Sequence, residues 1–241
     1  MHSTEGMYGR RAEYYDLIYH WKDYAAEAAA LRARLGELGI GEGSTILEAG
    51  CGTGSHLVHL RDAFQLRGFD VSEGMLEIAR KKLPGTELFR ADMAELTDAR
   101  PVDAVISLFG AIAYVFPIER LRATAQAVAR VVRPGGALLV EPFLTEDQFT
   151  AGKLYMQTAD REEIKLCRMS HSRKKGQLAE ITFHWLVLFA DGATDQFSET
   201  HALWLIAPEL LLQVFGEAGF DVRYDPEGVM PGRALVVGRR R

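Results

Sequence analysis

Hydrophobic residues in the first half of the chain follow two alternating patterns: short unbroken apolar runs, and longer stretches with apolar positions three or four apart. The runs read as buried strands and the stretches as amphipathic helices. Residues 24–38 predict a helix with Leu31, Leu35 and Leu38 on one face, closed by Gly39 and the turn Gly41-Glu42-Gly43. Strands are predicted at 45–49, 65–70, 86–90, 102–107 and 137–141. Between the last two, Ile118, Leu121, Ala125, Val128 and Val132 share a helical face, and Pro134-Gly135-Gly136 stops that helix. Such alternation, joined by right-handed crossovers, builds a largely parallel sheet with helices on both faces.

The pattern changes after Glu141. Residues 161–170, 177–189 and 195–206 read as three strands, with turns at Lys175-Gly176 and Asp191-Gly192 that suit antiparallel pairing. Pro208 then opens a helix that Gly219 ends, and 221–224 and 235–238 supply two closing strands. The expected fold is α/β, a doubly wound and mostly parallel seven-stranded sheet with a small antiparallel β insertion. Residues 1–43 form an N-terminal helical cap, 44–141 and 207–241 the core, and 142–206 the insertion. The insertion could serve as a lid over a cleft or as a homodimer surface, and the sequence leaves both open.

Composition narrows the class. A chain of 241 residues with 48% hydrophobic content suits one domain with an elaboration rather than two full domains. A net charge of −5 disfavours nonspecific nucleic-acid binding, and Arg173-Lys174-Lys175 and Arg239-Arg240-Arg241 read as a solvated turn and tail. The two cysteines, Cys51 and Cys167, form no metal-type pair, so neither a disulfide framework nor a zinc site is expected, and a reducing cytoplasm is the simplest compartment. No apolar run reaches membrane-spanning length, and the polar N-terminus lacks the apolar core of a signal peptide. The expected partner is a small molecule, not a membrane or a nucleic acid.

Candidate chemistry concentrates in Thr45-Ile46-Leu47-Glu48-Ala49-Gly50-Cys51-Gly52-Thr53-Gly54-Ser55, where an apolar strand ends in an acid and three glycines spaced two apart. Glycines there let the backbone turn sharply and approach a ligand, although a glycine turn with no ligand is the plain alternative. The dinucleotide pattern G-x-G-x-x-G fails, because Ser55 or Leu57 stands where its third glycine is required. Asp70 ends the second predicted strand 20 residues after Gly50, where a carboxylate can accept both ribose hydroxyls. Ser72 can cap the next helix, Glu73 suits its positive end, and Met75 offers a soft apolar surface beneath an adenine. The E-x-G-x-G-x-G form resembles the first motif of class I S-adenosylmethionine-dependent methyltransferases. That resemblance implies S-adenosyl-L-methionine as cofactor, held by Glu48, Ala49, Gly50, Gly52 and Gly54, by Asp70, Val71 and Met75, and by Asp92 and Met93, with Asp92 on the adenine amino group.

A narrower resemblance spans almost the whole chain. Tyr15-Asp16-Leu17-Ile18-Tyr19, Lys22-Asp23-Tyr24-Ala25-Ala26-Glu27, Val140-Glu141-Pro142, Ser170-His171-Ser172 and Gly232-Arg233 together look like bacterial nucleotide-linked amino-sugar N,N-dimethyltransferases. By that resemblance Tyr15 and Tyr114 lie near the reacting amine, Tyr15 also beside the cofactor, and Glu141 and His171 in or beside the substrate cleft. Phe143-Leu144 and Gly110-Ala111 stand where those relatives carry a tryptophan pair and a serine pair. The implied activity is N-methylation of an amine on a small molecule such as a nucleotide-linked amino sugar. Another small-molecule N- or O-methyltransferase, or a noncatalytic cofactor-binding subunit, are the alternatives. His56 and His59 share a helix face without a third ligand, so no metal is expected, and Trp185 and Trp204 read as sheet or dimer packing.

Overall fold

The structure is a computed structural model that describes residues 11–98 and 100–241. The first ten residues, part of the expected cap and of the expected polar N-terminus, lie outside the described residues. The chain begins with α1 (Glu13–Ile18) and α2 (Tyr24–Glu37), then alternates through β1 (Thr45–Ala49), α3 (Ser55–Leu60), β2 (Gln65–Asp70), α4 (Glu73–Lys82) and β3 (Glu87–Arg90). It continues through β4 (Val102–Ser107), α5 (Ile118–Val131) and β5 (Val132–Val140). Four strands follow: β6 (Leu154–Asp160), β7 (Ile164–Lys175), β8 (Leu178–Phe189) and β9 (Thr194–Trp204). The chain closes with α6 (Pro208–Glu217), β10 (Phe220–Asp225) and β11 (Leu235–Arg240).

Among the described residues these strands form a seven-stranded sheet in the order β10-β11-β5-β4-β1-β2-β3 and a four-stranded sheet in the order β6-β7-β8-β9. The first is parallel from β3 to β5 and antiparallel at β11 and β10. Both faces are covered, as the near-continuous apolar strands require. Leu47, Val105 and Leu138 pack with α5 and α6, whereas Ile46, Ala104, Ile106 and Leu139 pack with Leu31 and Leu35 of α2. Strand order reverses between β1 and β4, which opens a crevice beyond their carboxyl ends. The fold is thus the doubly wound α/β architecture with an antiparallel insertion between β5 and α6.

Two local expectations fail for physical reasons. The insertion has four strands rather than three, because β6 is an edge strand with nearly every side chain exposed and so carries no inside-outside alternation. Pro134-Gly135-Gly136 does not stop α5 but lies within β5, where pairing jumps from Val102–Val132 to Ala104–Ala137. Gly136 is required in that irregularity, since a Cβ there would sit 2.7 Å from the Asp103 carbonyl oxygen.

Gly68 of β2 tests the packing beneath the crevice. A Cβ on it would approach Cys51 Sγ, Leu57 Cδ1 and Leu88 Cδ2 at 3.0 Å each. Gly68→Val should overpack this layer and destabilise the protein by about 1–3 kcal/mol. Urea titration should show a lower midpoint at an unchanged slope; an unchanged midpoint would show that the layer yields freely.

Candidate cofactor and acceptor site

β1 delivers its chain into a loop in which Gly50, Gly52 and Gly54 all take positive φ, at 73°, 54° and 73°. Their surroundings differ. A Cβ on Gly50 would lie 2.8 Å from both Ala111 Cβ and Met93 Cε, and one on Gly54 would lie 2.8 Å from Leu83 Cδ1, so these two glycines allow close packing. A Cβ on Gly52 would meet nothing within 4 Å, so the middle of the loop faces open space.

Asp70, at the end of β2, organises this loop. Its Oδ2 accepts the Gly52 N–H at 2.9 Å and its Oδ1 accepts the Ser72 N–H at 2.9 Å. Burial raises the Asp70 carboxyl above its usual range, and the backbone N–H groups of Ser72, Gly52 and Val71 pull it only part of the way back. Ser72 caps α4 by accepting the Met75 N–H at 3.1 Å, as its place in the sequence suggests. Val71 is an exposed apolar residue beside Asp70. Asp92 accepts the Ala94 N–H at 2.8 Å and pairs with Arg120 at 2.6 Å. Met93 reaches back to Gly50, and Ala49 is buried at the strand end.

Met75 differs from its expected placement. It is fully buried in a cluster with Ala12, Tyr14 and Ile18, beneath α1 rather than facing the crevice, because α1 packs over the face of α4 that carries it. Asp16 of α1 in turn accepts hydrogen bonds from Thr53 at 2.7 Å and Ser55 at 3.3 Å and pairs with Lys82 at 2.5 Å, which fixes α1 across the glycine loop.

Under the loop lies a buried charge network that sequence reasoning missed. Lys22 pairs with Glu27, His56 Nε2 lies 3.0 Å from the same carboxylate, and His56 Nδ1 lies 3.4 Å from Glu48. Burial alone would lower the His56 pKa, but Glu27 and Glu48 outweigh it and hold the ring at about 9. Glu48 Oε2 is buried with no hydrogen-bond partner among the described residues. The only sequence signal was the resemblance that quoted Lys22 and Glu27, since the contacts join α2, α3 and β1 across a span invisible to periodicity.

At the carboxyl edge of the sheet, Tyr114 follows β4 and Glu141 follows β5, and Tyr15 of α1 lies near Tyr114. Burial pushes the Tyr15 hydroxyl well above its ordinary pKa, with Tyr19, Tyr24 and Tyr114 close enough to add to the effect. Glu141, one residue past β5, is fully buried, and burial raises its carboxyl while Arg233 and Lys22 oppose. Its Oε1 accepts Arg233 Nε at 3.1 Å, and its Oε2 has no partner among the described residues. Arg233 also donates to the Pro142 carbonyl at 3.0 Å and lies over the Phe143 ring.

His171 does not join them. Alternate residues of β7 face opposite ways, and Leu166, Arg168 and Ser172 are the buried set, so His171 falls on the exposed face, stacked on His184 at 5.6 Å. Its expected place beside the cleft is therefore corrected. Trp185 and Trp204 are both buried, the first stacked on Phe197 and the second edge-on to Phe116.

A parallel sheet with an open glycine loop and an acid after β2 defines a nucleoside-cofactor site at a strand-order reversal. A methyltransferase-domain family profile matches residues 46–136, which contain this loop, Asp70, Asp92 and Tyr114. The dTDP-3-amino-3,4,6-trideoxy-alpha-D-glucopyranose N,N-dimethyltransferase of Streptomyces venezuelae is 35% identical over 94% of this chain and 96% of its own length. Two solved structures are similar across nearly the whole chain. The sugar N-methyltransferase KedS8 from Streptoalloteichus sp ATCC 53650 superposes with a TM-score of 0.87 at 33% identity, covering 94% of this chain and 92% of that one. The amino pentose methyltransferase CalS10 from Micromonospora echinaspora, solved with S-adenosylmethionine bound, gives 0.83 at 30% identity and covers 96% of each. The chain belongs to the S-adenosylmethionine-dependent sugar N-methyltransferase family; it is an enzyme of that class, and its cofactor is S-adenosylmethionine. Among the described residues no helix is long and apolar enough to cross a membrane.

The His56 network makes a pH prediction. A histidine held at about 9 in the folded protein, against about 6.5 unfolded, contributes stability that is complete below about 6.5 and is lost as pH rises through about 9. The melting temperature of the wild type should therefore fall across that window, and His56→Gln should flatten the decline. Parallel curves for the two proteins would exclude His56 as the titrating group.

Proposed function

We propose that this enzyme methylates the amine of a nucleotide-linked amino sugar. The observation that carries the reading is similarity through the whole chain, insertion included, to enzymes named for that reaction. The free faces of the glycine loop support the cofactor side: Gly52 leaves room for the ligand, Asp70 offers carboxylate lone pairs to a ribose, and the unpartnered Glu48 oxygen suits a cationic group. Val71 and Met93 would flank the adenine and Asp92 its amino group, while Met75 would support that wall from beneath. When bound, S-adenosylmethionine supplies an electrophilic methyl on a sulfonium. The protein then has to exclude water, orient the amine and accept its proton, tasks that suit Tyr15, Tyr114 and Glu141. A reducing cytoplasm suits the two free thiols, Cys51 and Cys167.

One observation favours a second reading of the acceptor. Two of the departures from the family, Gly110 and Phe143, meet: a Cβ on Gly110 would lie 3.2 Å from Arg233 Nη2 and 3.4 Å from Phe143. They therefore reshape the wall around the Glu141–Arg233 pair together, which favours a different small-molecule amine or hydroxyl acceptor.

The insertion makes a homodimer surface in this proposal. Leu154, Met156, Met169, Leu186 and Leu188 are each at least 45% exposed. Strand register sets them side by side on the outer face of the four-stranded sheet. A patch of this kind on an antiparallel sheet suits a self-complementary twofold contact. The wild type should sediment as a dimer, and Met169→Asp with Leu186→Asp should sediment as a monomer with its melting curve retained. A monomeric wild type at micromolar concentration would reject the dimer.

Transfer of labelled methyl from the cofactor to a panel of nucleotide-linked amino sugars, simple amines, sugars and phenols tests the reaction. Product on the amino sugars is expected; product on phenols alone would replace the acceptor, and no product on any would leave a cofactor-binding protein without transfer. Asp70→Ala should weaken cofactor binding in calorimetry by roughly 1.5–3 kcal/mol for each charge-assisted hydrogen bond lost. Unchanged affinity in the folded variant would remove Asp70 from the ribose site.

A further inference from the structure

Behind Tyr114 runs a polar chain that the cofactor side of the crevice does not use. Tyr114 closes a short helical turn over 111–114 that packs through Ala111 against the glycine loop. Its hydroxyl lies 2.8 Å from Nδ1 of His201, a residue of β9 that is 3% exposed. Nε2 of His201 lies 3.5 Å from Oε1 of Glu199, and that same oxygen accepts the indole N–H of Trp185 at 3.1 Å. Glu199 and His201 are two apart on a strand, so both project to the inner face of the insertion, toward the crevice. The 3.5 Å separation is that of an ion pair rather than a formed hydrogen bond, and its attraction grows only when the ring is cationic.

We infer that Tyr114, His201 and Glu199 form a relay that removes the proton from the acceptor amine; the inference rests on the amine-methylation reading above. An alkyl amine with a pKa of about 10 is an ammonium at neutral pH and has no lone pair to offer until that proton leaves. The Tyr114 hydroxyl donates to a bare His201 Nδ1, which leaves the other ring proton on Nε2, directed at Glu199. As an ammonium N–H proton passes to the Tyr114 oxygen, the hydroxyl proton passes to His201 Nδ1. The amine keeps its electron pair, the tyrosine is again neutral, and the ring carries the positive charge opposite the Glu199 carboxylate. Trp185 fixes that carboxylate, and the Phe183 ring sits edge-on to His201 at 5.3 Å. Charged groups on this face include Arg168 of β7, which lies over Phe183 and Trp185 at 4.5 and 5.3 Å, and Arg11, which lies over Phe197 at 4.1 Å and pairs with Asp195. Tyr114 touches the amine, whereas His201 and Glu199 act through it and are positioning residues.

The arrangement also explains why the insertion is attached to the catalytic half. The hydroxyl comes from the loop after β4 and its proton acceptor from β9, so the relay exists only when the two sheets are docked. The relay requires one tautomer, Nδ1 bare and Nε2 protonated, and the Glu199 carboxylate beside Nε2 favours it.

Two measurements test it. Nitrogen-15 spectra of histidine-labelled protein without cofactor, assigned by comparison with His201→Ala, should show Nδ1 unprotonated and Nε2 protonated in His201, with the Nδ1 signal shifted in Tyr114→Phe. A proton on Nδ1 would overturn the relay, because the tyrosine would then accept from the ring rather than donate to it. In turnover with dTDP-3-amino-3,6-dideoxyglucose, His201→Ala and the gentler Glu199→Gln should lower kcat at about pH 7, the first by about 100-fold, with cofactor affinity unchanged. At about pH 9.5, where more of the amine is already free, the deficit should shrink to within about threefold. An equal deficit at both pH values would overturn the relay while leaving the methyl transfer intact. A wild type that methylates no amine in the panel would overturn the functional reading itself and take the relay with it.

Discussion

The Asp70 carboxylate ties together two turns that the sheet delivers separately. β1 and β2 run parallel, so their carboxyl ends emerge side by side, but nothing in strand pairing fixes the loops beyond them. One Asp70 oxygen takes the Gly52 N–H and the other the Ser72 N–H, so the middle of the glycine loop and the start of α4 share a single acid. The open space at Gly52, the capped start of α4 and the exposed Val71 all take their positions from that bridge. Its burial is tolerable because each oxygen receives a donor.

Around this bridge the rest of the protein closes in layers. α1 is fixed across the loop by Asp16, and beneath it the Lys22–Glu27–His56–Glu48 network balances charge in a place that water does not reach. Partners drawn from α2, α3 and β1 make that network a clamp on the relative placement of three elements. Removing one member would leave the others buried and uncompensated, which is costlier than never having charged groups there. The insertion completes the enclosure through Trp185, Leu166 and Val187, which pack with Tyr14, Ile18 and Met75.

How much of this was legible depends on the range of the signal. The α/β alternation, Asp70 at its strand end, the Ser72 cap and the Pro208 helix start are local features, set by residues a few positions apart, and they stand in the structure where the sequence suggests. β6 carried no signal because nearly all of this edge strand is exposed, with Ala159 alone fully buried among its residues, and so it has no alternation to read. His171 was misplaced by parity alone: a strand turns successive residues to opposite sides, and nothing local states which side faces the core. His56 with Glu27, and Tyr114 with His201, are 29 and 87 residues apart, and only the folded topology brings them together.

Phe109 is the one described non-glycine residue with positive φ, at 53°, immediately before Gly110. A side chain costs energy in that conformation, on the order of 1 kcal/mol or more, and glycine would relieve it. Yet the ring meets Tyr19 edge-on at 5.2 Å and lies 4.7 Å beneath the Lys22 ammonium, so it ties the N-terminal helices to the loop after β4. Heat tolerance and site rigidity therefore make opposite demands on a single position. A consensus-style search for stabilising substitutions would reach it early, and would gain backbone ease there by loosening the roof over the crevice.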